Sequence, residues 1–404
     1  MRTGLALTSL ACASLVACDD HHAADPIDLG TPRQLIYVAD DTAAEKHGGG
    51  GGGSNGVVHV FDPTTFEHVG AFDGGDGIGE VYATPDGSLL WILGTGAGSV
   101  SLFDTSTYAL TELDVGVRPV HSFIASDRSR IFVGNDGSAD VSVIDVASRR
   151  VVATVLTGAG HHKMAVTTDA GGAFAGVYVS NITDGTITPM NVDLSVRTNV
   201  PGTGAAPHGM DFSFVTGRVY NCSGDAQHSI EVIATRDDVA TVEDDRDTIV
   251  ARIPLEARCS YLHVSDDGHF AYATIPSANR FVRIDLADHT IVPFDTDVGP
   301  DKFEIVDDRA YVVHARSATV RVIDLTGASP STSIDVGRAV APDATSGHRS
   351  CRYHANRLYV PNPFDGTVSV IDTTSDTVIA TLSGMHSPES IAIAGPGFGT
   401  TYPR

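Results

Sequence analysis

Four histidines share one sequence setting, each standing at or just ahead of a short apolar run. His121 closes Arg118-Pro-Val-His121, His161 and His162 precede Lys163-Met-Ala-Val166, and His208 lies in Ala206-Pro-His-Gly209. Cys259 and His263 enter a further run, His348 and Cys351 approach another, and Glu80 and Glu389 hold comparable positions. Three neutral imidazoles with a thiolate, a carboxylate or a water as fourth ligand make a tetrahedral site suited to Zn²⁺. The candidate ligand set is therefore His121, His162 and His208, with His161, Cys259 and His263 as further donors. His47 adds an imidazole at the base of the loop Lys46-His-Gly-Gly-Gly-Gly-Gly-Gly-Ser54. The chain carries 26 basic and 50 acidic residues, a formal charge of −24. Such a field attracts a divalent cation and repels nucleic acid and anionic headgroups.

For these residues to meet, their runs must be gathered in one place, and internal repetition shows how. Short β-branched and aromatic strands recur at 34–40, 89–93, 131–135, 177–181, 219–222, 270–274, 310–313 and 358–362. Their spacing is roughly 40–54 residues. A second alternating strand follows most of them and closes on an aspartate: Asp62, Asp104, Asp145, Asp285, Asp324 and Asp372. That carboxylate can accept backbone N–H groups two residues on and so hold the turn into a third strand, as in Val151-Val-Ala-Thr-Val-Leu156. A fourth strand leads back to the next unit. Four strands per unit at this period predict an all-β fold, a β-propeller of four-stranded blades.

Eight units predict eight blades, with seven as the alternative because units four and five are irregular. Asn191 and Ala234 replace the turn aspartate there, and unit five carries the acidic stretch Asp237 to Asp247, read as a solvated insertion. The first unit lacks an innermost strand, while Ser390-Ile-Ala-Ile-Ala394 is an innermost strand without followers. Docking one into the other closes the ring and removes exposed edges. In such a ring the starts of the innermost strands crowd around the axis at one face, so the candidate ligands share a funnel.

The wording of the unit, carried best by 131–169 and 358–394, resembles the YVTN-type propeller repeat (Tyr-Val-x-Asn, then Val-Ile-Asp, then Val-x-Ala-Thr). That resemblance spans 34–394 and implies architecture without naming an activity. Pro-His-Gly is common in that repeat, so His208 taken alone reads as repeat grammar ahead of ligation. Pro119-Val-His121, the pair His161-His162 ahead of Met164-Ala-Val166, and a glycine loop bearing His47 resemble the periplasmic zinc-chaperone propellers of the AztD type. That resemblance implies zinc as the ligand and the binding protein of an ABC importer, or another envelope protein, as the partner.

The N-terminus sets the expected location. The apolar run Leu5 to Val16 follows Arg2 and falls short of the roughly 20 residues that span a bilayer. Leu15-Val16-Ala17-Cys18 resembles a bacterial lipobox, which implies export, cleavage before Cys18 and lipidation of its thiol. The expected organisation is a signal peptide at 1–17, a lipidated tether at 18–33 and one propeller domain at 34–404, held to the membrane by the lipid anchor only. Exported thiols usually pair, and Cys222, Cys259 and Cys351 leave at least one over. No Gly-x-Ser-x-Gly elbow, haem-attachment motif or phosphate loop is present. Trp91 reads as core, and His59, His68, His269, His289 and His314 read as scattered surface or inter-blade polar residues. The leading function is therefore an exported, lipid-anchored propeller binding a divalent metal, zinc, at its funnel, as a metallochaperone does. The alternatives are a scaffold that binds an envelope protein without metal, and a funnel-based enzyme.

Overall fold

The computed structural model of the chain describes residues 27–41, 55–160, 163–224, 228–235, 246–314, 316–339 and 350–396. The described strands, numbered β1 to β31 in chain order, form eight antiparallel sheets arranged as the blades of a propeller. The innermost strands are β31 (Pro388–Ala394), β4 (Ile78–Ala83), β8 (Pro119–Ile124), β12 (Met164–Thr168), β15 (Met210–Ser213), β19 (Leu262–Val264), β23 (Pro300–Val306) and β27 (Arg352–His354). Among the described residues no helix is long and apolar enough to cross a membrane.

Closure follows the expected route. Blade 1 has the order β3-β2-β1-β31, from β3 (His68–Asp76) through β2 (Asn55–Phe61) and β1 (Leu35–Asp40). Strand β1 pairs with β31 from Leu35↔Ala394 to Ala39↔Ser390. Blade 4 differs in its outer part. It has three full strands, β12, β13 (Phe174–Asn181) and β14 (Thr186–Asn191), and its fourth position is held by a segment bridged through Met190↔Val196. Pro189 explains the loss: its carbonyl accepts from Arg197 N–H at 2.9 Å, but proline has no N–H to return the bond.

The repeat residues do the mechanical work their types suggest. Asp62, Asp104, Asp285, Asp324 and Asp372 each accept the backbone N–H two residues on at 2.8–2.9 Å. Asp145 reaches three residues on, to Ser148, at 2.7 Å. The Asn that ends the second strand pins the following turn: Asn362 Nδ2 donates to Thr367 and Ser369 at 3.2 and 2.9 Å. The repeated tyrosines Tyr37, Tyr178, Tyr220, Tyr311 and Tyr359 are fully buried between blades, each worth a few kcal/mol of burial, about 1.5–3. Of the acidic stretch of blade 5, residues 237–245 lie outside the described residues; Asp247 at its end lies 2.7 Å from Arg197 Nε and accepts from Tyr178 at 2.6 Å.

Candidate metal centre

At the funnel the innermost strands begin with bulges. The pairing of β4 slips between Ile78 and Glu80 and that of β8 between Pro119 and His121. An extra residue kinks a strand and re-aims the side chain after it, so Glu80 and His121 take equivalent positions on adjacent blades. His121 Nδ1 lies 3.1 and 3.0 Å from the two carboxylate oxygens of Glu80. Lys163 Nζ, entering β12 of the next blade, is 3.3 Å from the same nitrogen, and Tyr82 donates its hydroxyl to Glu80. From behind, Tyr82 stacks on Trp91 with centroids 5.5 Å apart, and Trp91 Nε1–H donates to Ser122 Oγ at 2.7 Å. Trp91 is core, as its sequence setting suggests, and it also braces the site.

The charges here are strongly coupled. Burial alone would raise the Glu80 carboxyl, but His121, Lys163 and Tyr82 outweigh it and hold Glu80 far below the ordinary range. Burial and the neighbouring Lys302 push Lys163 down to about 7 against the pull of Glu80, Asp301 and Asp136. Burial, then Asp41 and Glu80, push Glu389 up to about 8. The mouth thus holds one firmly ionised carboxylate, a protonated one beside it, and a lysine that releases its proton near neutrality.

His208 is fixed from two sides. Its Nδ1–H donates to the Ser260 carbonyl at 2.7 Å, and its backbone N–H donates to the Cys222 carbonyl at 3.0 Å. Cys222 and Cys259 form a disulfide with Cα atoms 5.6 Å apart. This corrects the expectation of Cys259 as a metal ligand: its sulfur is committed to another sulfur and offers no thiolate. The leftover thiol is Cys351, buried and free, raised well above its ordinary range by burial and by Glu304.

His263 lies two residues further along its strand than the mouth positions and serves a different group. Its Nδ1 is 2.8 Å from Asp211 Oδ2 on β15. Burial lowers its pKa, but Asp211 outweighs burial and the net shift is upward, which favours the imidazolium and disfavours ligation. Glu304 on β23 is raised by burial against the pull of Arg352 and His263. His161, His162, His348 and His47 lie outside the described residues. Among the described residues, no three of His, Cys, Asp and Glu stand close enough to hold a metal ion. Sequence reasoning missed Lys163 and Asp211. The signal for Lys163 was its position, directly after the histidine pair and in the place that Glu80 and His121 occupy in their own units.

No protein-family model matches the chain, and no curated protein matches it. Solved structures do. AztD from Citrobacter koseri superposes with a TM-score of 0.68 at 16% identity, over 92% of this chain and 100% of that one. The apo form of the same protein gives 0.67 at 17%, over 91% and 99%. The likeness is one of fold. The dihydro-heme d1 dehydrogenase NirN in complex with DHE gives 0.66 at 16%, over 94% of this chain and 78% of that one. A ring shared by proteins so differently described does not select an activity; only the side chains at its mouth can.

Proposed function

We propose that this protein is an exported, lipid-anchored propeller that binds zinc at its axial funnel through His121, His208 and the His161-His162 pair, and passes it to a partner in the cell envelope. One observation carries the reading. His121 and His208 are both anchored through Nδ1, one on the Glu80 carboxylate and one on the Ser260 carbonyl. Metal-ligating histidines are held in this way by the nitrogen that does not bind, which leaves the lone pair on Nε2. The AztD-type motifs at Pro119-Val-His121 and His161-His162, on a fold matched over 92% of the chain, support the same assignment. Lys163 fits a cation site because burial and Lys302 have already lowered its proton affinity. Cys18, in its lipobox setting, supplies the anchor.

The test is a zinc titration of untagged protein against a competing chelator, with His121, His162 and His208 replaced together by Ala in the comparison protein. The parent should bind stoichiometrically, with metal–nitrogen distances of about 2.0–2.1 Å by X-ray absorption, and the triple variant should not. A triple variant that titrates like the parent overturns the reading. A parent that binds no metal favours the scaffold alternative.

A second reading, a funnel-based enzyme, has one specific observation in its favour. A lysine with a pKa of about 7, 3.3 Å from a histidine where two innermost strands begin, is suited to proton transfer. Loss of a turnover on Lys163→Met, with zinc binding intact, would identify it.

A further inference from the structure

His59 and His68 meet on the outer half of blade 1, remote in sequence from the funnel histidines. A bulge brings them together. Val60 pairs with Gly70 but Phe61 pairs with His68, so Val69 is the extra residue. In an unbroken ladder His68 would stand opposite Asp62, on the other face from His59. With the bulge it shares the face of Phe61 and His59, since side chains alternate along a strand. His59 Nδ1 and His68 Nε2 end 3.1 Å apart, with ring centroids 5.3 Å apart and planes tilted by 54°.

The rest of the setting fixes the first ring and leaves the second open. His59 Nε2 is 3.2 Å from Asp40 Oδ2. Asp40 is 1% exposed and accepts from the backbone N–H of His386 at 2.8 Å and of Ser387 at 2.5 Å. By accepting Nε2–H, Asp40 assigns the His59 lone pair to Nδ1, the nitrogen that faces His68. Phe61 braces His68 edge-on at 5.1 Å. The His68 ring is exposed to solvent.

We infer that His59 and His68 form a second site for a divalent transition-metal ion, on the side of blade 1 and separate from the funnel, with water completing the shell. The separation of the two nitrogens is the deciding quantity. Two imidazole nitrogens bound to one metal at about 2.0–2.1 Å, with a ligand angle between square and tetrahedral, stand roughly 2.8–3.4 Å apart. The observed 3.1 Å lies inside that span. The carboxylate–histidine–metal chain from Asp40 is the support such ligands normally have. Without metal the rings share one N–H···N hydrogen bond. Metal takes the place of that proton, which moves to Nδ1 of His68, so both rings stay neutral. Imidazole ligands rank Cu²⁺ above Ni²⁺ and Zn²⁺, so copper is the tightest occupant.

The experiment starts from the full chain with His121, His161, His162 and His208 all replaced by Ala, which removes the funnel histidines. Cu²⁺ is titrated into this protein against a competing chelator, and into the same protein carrying His68→Ala. We expect His68→Ala to remove one bound equivalent, with the two-nitrogen superhyperfine pattern of that copper in electron paramagnetic resonance. The unfolding temperature should not change, because the ring removed is on the surface. Asp40→Asn should weaken the same equivalent about 10- to 100-fold; if that variant does not fold, the His68→Ala comparison still decides. Equal copper stoichiometry and affinity with and without His68 would overturn the site.

Discussion

Glu80 is the residue on which the funnel mouth turns, because His121, Lys163 and Tyr82 all address its carboxylate. Glu80→Gln keeps the shape and removes the charge, leaving a buried imidazole and ammonium beside a neutral amide. Such a change costs about 2 kcal/mol, to be read as a shift of the urea midpoint at constant slope. The pH dependence of this group has a definite sign. Its folded pKa lies below the ordinary 4.5, so its contribution is present above that pH and is lost as pH falls. Glu389 has the opposite sign. With its folded pKa raised from 4.5 to about 8, its contribution is complete below pH 4.5 and fades as pH rises to 8. The Glu389→Gln variant should therefore flatten stability against pH across that window, measured by urea unfolding at successive pH values. The identities of Glu80, His121 and Glu389 as funnel residues were legible, because each marks the start of a repeated strand. Their coupling was not. It depends on which blades are neighbours and on the bulges that turn the side chains, and neither is written in local sequence.

The strands themselves were the most legible elements, since aspartate turns and buried tyrosines are local signals. Blade 4 resisted, because one proline removed a reciprocal bond that strand propensity does not report. The meeting of His59 with His68 was hidden for a related reason: a bulge of one residue moves a side chain to the other face without changing composition. Running from the end of the strand Arg218–Cys222 to the segment before β19, the disulfide Cys222–Cys259 joins the two backbones that hold His208, one through the Cys222 carbonyl and one through Ser260, the residue after Cys259. It closes a sequence separation of 37 residues. Replacing both cysteines by Ser should cost about 2–4 kcal/mol and, if His208 is a zinc ligand, should weaken zinc binding more than Ser substitution of Cys351 does. Calorimetric unfolding and chelator competition on the same two proteins would separate the effects. At a turn, Asp372→Ala removes acceptors for Thr374 and Ser375 N–H and should cost about 1 kcal/mol.

The molecule as a whole is held shut by one strand. Ile391 and Ile393 of β31 are buried against Ile36, Val38 and Tyr359, so they join blade 1 to blade 8. Substituting Asp at both positions should open the ring, seen as loss of a single cooperative transition and gain of dye binding to exposed apolar surface. If Cys18 carries the proposed lipid anchor, Cys18→Ser should release the protein from membranes. A variant that still sediments with membranes after a high-salt wash would overturn the lipobox reading. The closing strand also fixes an order of events during synthesis. Asp40 and His386 are 346 residues apart in the chain, so the blade begun first is completed last. At about 5–20 residues per second the free edge of β1 waits about 17–70 s for its partner. Whatever receives the nascent chain has to keep that edge covered for the whole interval.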